Sequence, residues 1–197
     1  MRGKTHLVVG VSLGIALAHI NHLPLSESLL SGVSSGLGGL FPDIDHPQSL
    51  LGRFIPSGVK YRSWSRGNYS NNTQVGRNFG IFTLWHRGPT HSIGFGLITS
   101  FLIFLALQHL HFGLSILLAI AWFLGYMSHL FLDEFNRAPQ MLLFPLRFKM
   151  IYLPFFPHVA QNTFLDKFLE LVFVVIGVVY SIINLLPLIL NFHKWGL

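Results

Sequence analysis

The sequence lacks cysteine altogether and has very little charge. Of its 197 residues, 10% are charged and 51% are hydrophobic, whereas a soluble domain carries about 25% charged residues. The absence of cysteine excludes a disulfide scaffold and a thiolate metal site, and the apolar content excludes a disordered chain. Together these shortages predict a single membrane-embedded domain over residues 1–197.

Long apolar runs predict about five membrane spans. A helix needs about 20 mostly apolar residues to cross the hydrocarbon layer. The runs are residues 7–23, 29–41, 93–107, 114–132 and 168–190. The second run is short and rich in Gly and Ser, so it is either a tightly packed span or a re-entrant segment. We therefore expect an all-α fold, a polytopic membrane helix bundle.

Two stretches between the spans are too polar or too broken to cross a membrane. Residues 52–80 are rich in Gly, Ser, Asn and Arg, which predicts a flexible loop or lid. Residues 137–158 mix Phe and Leu with four prolines, which predicts a segment lying on the lipid headgroups.

The basic residues predict the orientation. With five spans and a cytoplasmic N-terminus, 12 of the 13 Lys and Arg residues lie on the cytoplasmic side, and only Lys194 lies outside. This distribution obeys the positive-inside rule. It also accounts for the net charge of +6 without a nucleic-acid partner.

Four short segments carry the residues that could perform chemistry. His129 and Asp133 are four apart at the end of a predicted span, so their side chains share one helical face. Such a pair is either a compact set of metal ligands or a hydrogen bond inside the bundle.

The second segment contains Asp43, Asp45 and His46 between two prolines. Carboxylates this close repel each other unless a cation or protons neutralise them. A solvated turn with an aspartate as helix cap explains one of the two acids. A metal ion explains both.

The third segment, His86 to Ser92, leads into the third predicted span. Thr90 or Ser92 could cap that helix, which leaves two histidines and Arg87 to be explained. A guanidinium beside imidazoles suits bidentate recognition of phosphate. The fourth segment is His6, at the start of the first span.

In the five-span topology these segments all meet at the cytoplasmic face and form one polar layer. We expect a divalent metal there, with zinc favoured, manganese or iron as alternatives, and one or two ions, since the ligands are nitrogen and oxygen only. The predicted ligands are His6, Asp43, Asp45, His86, His91, His129 and Asp133. The predicted catalytic residues are Arg87, which would stabilise developing charge, and His46, which is either a further ligand or a general acid/base.

Taken together, the segments Thr5-His6, Pro42 to His46, His86 to Ser92 and Gly125 to Asp133 resemble the YdjM-like family. The resemblance covers roughly residues 1–146 and implies a prokaryotic inner-membrane protein. Members of that family are described as membrane-bound metal-dependent hydrolases or as LexA-binding inner-membrane proteins. Two positions depart from the family pattern, Asn136 and Pro139, where the family usually has Thr and Gly.

A more distant likeness concerns the kind and order of the ligands. The early His, the Pro-Asp turn and the His-x-x-x-Asp pair are similar to those of the all-helical zinc-dependent phospholipases C. This likeness implies phosphoesterase chemistry with metal-activated water.

These observations predict a membrane-bound metal-dependent hydrolase acting on a phospholipid or phosphorylated lipid at the cytoplasmic interface. The alternative is a non-enzymatic membrane protein whose polar layer is structural and whose loop over residues 52–80 binds a regulatory protein partner. A third reading, a metal-ion transporter, predicts ligands near the bilayer midplane, whereas here they lie at the ends of the spans.

Overall fold

The structure is a computed structural model that describes residues 3–55, 58–64, 72–79, 82–135, 139–146 and 163–195. Five α-helices occur within these ranges: α1 (Gly3–Ile20), α2 (Leu25–Leu40), α3 (Ile93–His109), α4 (Ser115–Asp133) and α5 (Phe164–Trp195). Each overlaps one of the predicted apolar runs, which confirms the helix bundle. The last helix begins earlier than its apolar run and continues past Pro187.

The helices differ in whether they are long and apolar enough to cross a membrane. Among the described residues, α1, α4 and the Phe164–Leu190 part of α5 meet both criteria, and α3 is apolar but shorter. Helix α2 has 16 residues, which gives about 24 Å, less than the hydrocarbon thickness of about 30 Å. The helix predicted to be short is thus the shortest of the five.

In the sequence, a small antiparallel sheet lies between the second helix and the third. Its strands are β1 (Gly58–Trp64), β2 (Asn72–Phe79) and β3 (Phe82–Trp85), in the order β1-β2-β3. Gly58 pairs with Asn78, and Gly76 pairs with Trp85. The prediction of a flexible loop or lid over residues 52–80 is therefore wrong about the loop for Gly58–Trp64 and Asn72–Phe79. Glycine and asparagine suggested a loop, but Val, Tyr, Thr and Phe alternate with polar residues there, which favours strands.

Only part of the predicted interfacial segment is described. Residues 142–146 form turns, and the backbone amide of Met141 donates to the carbonyl of Arg87 at 3.1 Å. The remainder of residues 137–158 and Asn136 lie outside the described residues, so the interfacial placement stays a prediction.

Small residues allow α1, α2 and α4 to pack closely against one another. A Cβ added at Gly125 would overlap the carbonyl oxygen of Ser35, and one added at Gly10 would come within 2.8 Å of the same oxygen. The close approach predicted for the Gly- and Ser-rich second run is confirmed.

Serine hydroxyls provide hydrogen bonds between the helices. They donate from Ser31 to Gly14 O at 2.7 Å, from Ser34 to Leu118 O at 2.7 Å and from Ser12 to Gly177 O at 2.8 Å. Hydrogen bonds of this kind hold helices together where apolar contacts alone give little preference over lipid. The bundle thereby holds the ends of its helices in register, and these ends carry the site.

Candidate metal centre

The predicted site residues meet at one end of the bundle. His6 lies in the first turn of α1, and His129 and Asp133 lie in the last turns of α4. Asp43 and Asp45 lie in a short 3-10 helix that follows α2, and His91 lies in another that precedes α3. The clustering predicted from the topology is therefore present in the structure.

The first of two triads contains His6, His129 and Asp133. His6 Nε2 lies 3.4 Å from Asp133 Oδ1, and His129 Nε2 lies 3.9 Å from Asp133 Oδ2. The two imidazole rings stack with centroids 3.9 Å apart. All three side chains are buried, so this triad is the inner part of the site.

The second triad contains Asp43, His86 and His91. Asp43 Oδ1 lies 3.5 Å from His91 Nε2 and 3.8 Å from His86 Nδ1. His91 is fully buried, while the side chains of Asp43 and His86 are 17% and 23% exposed. This triad therefore forms the side on which the site opens.

Asp43 lies between the two triads and is close to a histidine of each. Its Oδ1 lies 3.5 Å from His129 Nε2 as well as 3.5 Å from His91 Nε2. His91 Nε2 in turn lies 3.9 Å from Asp133 Oδ2. In each triad, one ligand atom per residue can be chosen so that all lie within 4.8 Å of one another, which is close enough to surround a cation.

Three buried imidazole nitrogens have no hydrogen-bond partner among the described residues: His6 Nδ1, His91 Nε2 and His129 Nε2. Burying such an atom without a partner costs about 1–3 kcal/mol. His129 Nδ1 lies 2.7 Å from the carbonyl oxygen of Gly39. Because a carbonyl only accepts, Nδ1 carries the proton and Nε2 has the lone pair. These residues fit a divalent cation.

The acids outside the helices are held in their charged form. Burial raises the pKa of the Asp43 carboxyl, but the neighbouring imidazoles of His129, His91 and His86 hold it well below its usual range. Against the same burial, His86 and His91 lower the pKa of Asp45 to about 2. Ionised carboxylates in a buried site require cationic partners.

The imidazole of His91 shows the reciprocal effect. Burial lowers its pKa, but Asp45 and Asp43 raise it to about 9. The two carboxylates thus favour the protonated ring of His91. A metal ion at this position would replace that proton as the balancing charge.

Arg87 contacts a predicted ligand. Its Nη2 lies 2.8 Å from Asp133 Oδ2, and its Nη1 donates to the backbone carbonyl of Asp133 at 3.4 Å. The residue is 5% exposed and has a backbone φ of 63°, a conformation that is uncommon for arginine. Arg87 thus adds a fixed positive charge next to the inner triad.

His46 lies at the rim of the site. Its ring centroid is 4.9 Å from that of His86, and its Nδ1 accepts a hydrogen bond from the Gln48 amide at 3.2 Å. Burial and the charge of His86 lower the pKa of His46. It belongs to neither triad.

Sequence comparison supplies the family. Residues 1–190 match the family described as YdjM inner membrane protein. The chain belongs to the YdjM inner membrane protein family. The chain is also 30% identical over 145 residues to "Uncharacterized protein YvsG" of Bacillus subtilis (strain 168), which covers 74% of each chain. No solved structure matches it.

Membership of the YdjM family confirms the resemblance seen in the four segments and supports the membrane location. The match runs to residue 190, well beyond the motif-bearing part, and includes most of α5. The family match therefore includes the last helix, whereas the resemblance seen in the four segments ended near residue 146.

Two residues of the site were not predicted to act there. Thr90 was considered as a helix cap, but Ser92 caps α3 by accepting from the Phe95 amide at 3.1 Å, while the Thr90 hydroxyl donates to Asp45. The Tyr126 hydroxyl donates to the backbone carbonyl of Thr90. Tyr126 lies three residues before His129, on the same helical face, and that spacing was the available signal.

Proposed function

We propose that this YdjM-family protein is an integral-membrane metal-dependent hydrolase, a phosphoesterase that acts on a phospholipid or phosphorylated lipid at the cytoplasmic face. The observation that carries the proposal is a pair of buried imidazole nitrogens, His91 Nε2 and His129 Nε2, which have no hydrogen-bond partner among the described residues and each lie 3.5 Å from Asp43 Oδ1. Ionisable groups placed at the ends of membrane helices indicate function.

The two triads are suited to two ions. His6, His129 and Asp133 would hold one, and Asp43, His86 and His91 would hold the other. A catalytic zinc typically has about three protein ligands and an open position. Nitrogen and oxygen ligands favour zinc, with manganese or iron as alternatives. When bound, the ions would lower the pKa of a coordinated water to about 7 and polarise a phosphoryl oxygen.

Two further residues would act on the substrate: Arg87 by binding an anionic group and His46 by transferring a proton. Arg87 fixes the Asp133 carboxylate and keeps a positive charge beside the site, which favours an anionic phosphoryl group. His46 accepts the Gln48 amide at Nδ1, so its Nε2 carries the proton in the neutral ring. Its place at the rim suits a general acid/base that donates from Nε2 to the leaving oxygen.

The position of the opening supports a lipid substrate. The partly exposed members of the site, Asp43 and His86, lie outside the α-helices and next to the ends of apolar segments, where the headgroups of a bilayer would lie. In the five-span topology the basic residues are concentrated on the loops of this side, which favours anionic lipid.

Purified protein in lipid nanodiscs tests the proposal. With zinc supplied, we expect release of a phosphorylated headgroup or of inorganic phosphate from at least one member of a panel of anionic phospholipids and phosphorylated isoprenoids. His129→Ala should abolish turnover. His109→Ala is the matched control, because His109 is exposed at the other end of α3, about 25 Å of helix away from the site. Turnover that survives in His129→Ala would contradict the proposal.

A second candidate function is a binding role for residues 58–85. The three strands form a folded unit inserted between the ligand-bearing segments, and a folded insert could bind a regulatory protein while the polar layer only braces the bundle. Replacing residues 58–85 by a short Gly-Ser linker distinguishes the two functions. If the protein is a hydrolase, the shortened variant retains its metal and some turnover. If the strands bind a regulatory protein, the shortened variant loses that binding.

A further inference from the structure

We infer that Asp45 is a positioning residue that orients His86 and His91 towards the ions, and not a metal ligand as its place in the sequence suggests. This inference rests on the proposed metal centre and assigns a separate task to the second of two neighbouring aspartates.

The surroundings of Asp45 differ from those of Asp43. Asp45 is fully buried and belongs to neither triad. Its Oδ1 lies 2.9 Å from His86 Nδ1, and its Oδ2 accepts from the hydroxyl of Thr90 and lies 3.5 Å from His91 Nδ1. Both oxygens therefore already face protein donors, and a metal ion would have to displace them.

The atoms involved decide what Asp45 does to the two imidazoles. A carboxylate only accepts hydrogen bonds, so an imidazole nitrogen that faces it carries a proton. Asp45 faces Nδ1 of both His86 and His91. When a metal ion replaces the second proton of the ring, Asp45 thereby selects the tautomer whose lone pair is on Nε2, and His91 Nε2 is the atom that faces Asp43 Oδ1.

Thr90 strengthens this arrangement. Its hydroxyl oxygen lies 3.3 Å from His91 Nδ1 while its proton goes to Asp45. The same hydroxyl can therefore accept from the imidazole and donate to the carboxylate. The Tyr126 hydroxyl holds the Thr90 backbone from α4.

The inner triad reaches the same result by another route. His129 Nδ1 donates to the carbonyl oxygen of Gly39, which leaves its Nε2 as the ligand atom. Three imidazoles of the site thus have Nδ1 bound to an internal acceptor, and Asp45 serves two of them. Such acceptors fix ring orientation, and their loss typically lowers metal affinity about 10- to 100-fold.

The test compares three carboxylate-to-amide variants: Asp45→Asn, Asp43→Asn and Glu27→Gln. Glu27 is the matched control, because it lies in the first turn of α2, about 18 Å along the helix from the site. Zinc stoichiometry and dissociation constants are measured on purified full-length protein in detergent. Imidazole tautomers are read from ¹⁵N chemical shifts of histidine-labelled protein, with His86→Gln and His91→Gln used to assign the signals.

We expect Asp45→Asn to keep the zinc stoichiometry of the wild type, to bind zinc about 10- to 100-fold more weakly, and to show a changed Nδ1 signal for His86 or His91. Asp43→Asn should lower the stoichiometry, and Glu27→Gln should change neither quantity. Asp45→Glu, which keeps the carboxylate, should recover the tautomers at least in part.

The outcomes separate this inference from the proposed function. If wild-type protein binds no metal, the metal centre itself is wrong. If the wild type binds metal and Asp45→Asn loses one ion per chain while the tautomers are unchanged, Asp45 is a ligand and the inference is overturned. Unchanged affinity and tautomers in Asp45→Asn would overturn it as well.

Discussion

The ion pair between Arg87 and Asp133 leads to a prediction about stability with and without metal. The change is Arg87→Met, which keeps most of the length and the apolar stem of the side chain and removes the guanidinium. Arg87 and Asp133 are 5% and 3% exposed, and the shortest N–O distance between them is 2.8 Å. Both charges are thus in a region that water hardly reaches.

The expected magnitude follows from this burial. Removing one partner of a buried ion pair costs about 3–5 kcal/mol. Because His6 Nε2 also lies 3.4 Å from Asp133, we expect the lower end, about 3 kcal/mol, for the metal-free protein. In a chain of this size that loss lowers Tm by about 6–12 °C. A divalent cation in the inner triad would supply the missing positive charge, so the loss should fall to about 1 kcal/mol with zinc.

Thermal unfolding in detergent, with EDTA or with saturating zinc, measures both losses. Arg53→Met is the matched control, because Arg53 is exposed and stacks on the neighbouring Phe54 ring at 4.9 Å, so its removal should shift Tm little. Equal losses for Arg87→Met in EDTA and in zinc would show that no cation lies next to Asp133.

Three further predictions concern pH and packing. The pKa of His91 is raised to about 9, so the protonated ring stabilises the metal-free protein below pH about 6.5, and this stabilisation is lost as the pH rises through about 9. Because zinc must displace the proton, zinc affinity should rise with pH up to about 9 and at least one proton should be released at pH 7. Calorimetry in buffers of different ionisation enthalpy measures the release, and a pH-independent affinity would contradict the prediction. Gly125→Ala should lower Tm, with a cost of about 1–3 kcal/mol from overpacking, because the added Cβ overlaps Ser35, whereas Gly113→Ala, which meets no atom within 4 Å, should not. Tyr126→Phe should cost about 1–1.5 kcal/mol in thermal unfolding, because it removes the hydrogen bond to Thr90, and an unchanged Tm would mean that this bond does not stabilise the fold.

The helices could be predicted because apolar length and the positions of charge decide membrane insertion locally. Helix α4 illustrates this, since its apolar run of residues 114–132 nearly coincides with Ser115–Asp133. The sheet was missed because its glycine and asparagine residues suggested a loop and outweighed the alternation of apolar and polar residues. Pairing between the strands, for example of Val59 with Arg77, cannot be read from either strand alone.

The members of the site could be predicted, but their contacts could not. Alternating spans bring His6, Asp43, His91 and Asp133 to one face, and a topological argument is sufficient for that. Which carboxylate faces which nitrogen depends on side-chain geometry. The two acids of the Pro-Asp turn, Asp43 and Asp45, look equivalent in sequence, yet only the first contacts Nε2 of two histidines.

Elemental analysis of purified protein measures whether the two triads hold metal ions. After gel filtration of zinc-loaded wild type in detergent without chelator, about two ions per chain are expected. The double variant His129→Ala with Asp133→Ala should lose the inner ion, and His109→Ala should retain both. Wild-type protein that carries no transition metal, or a double variant with unchanged metal content, would contradict the account.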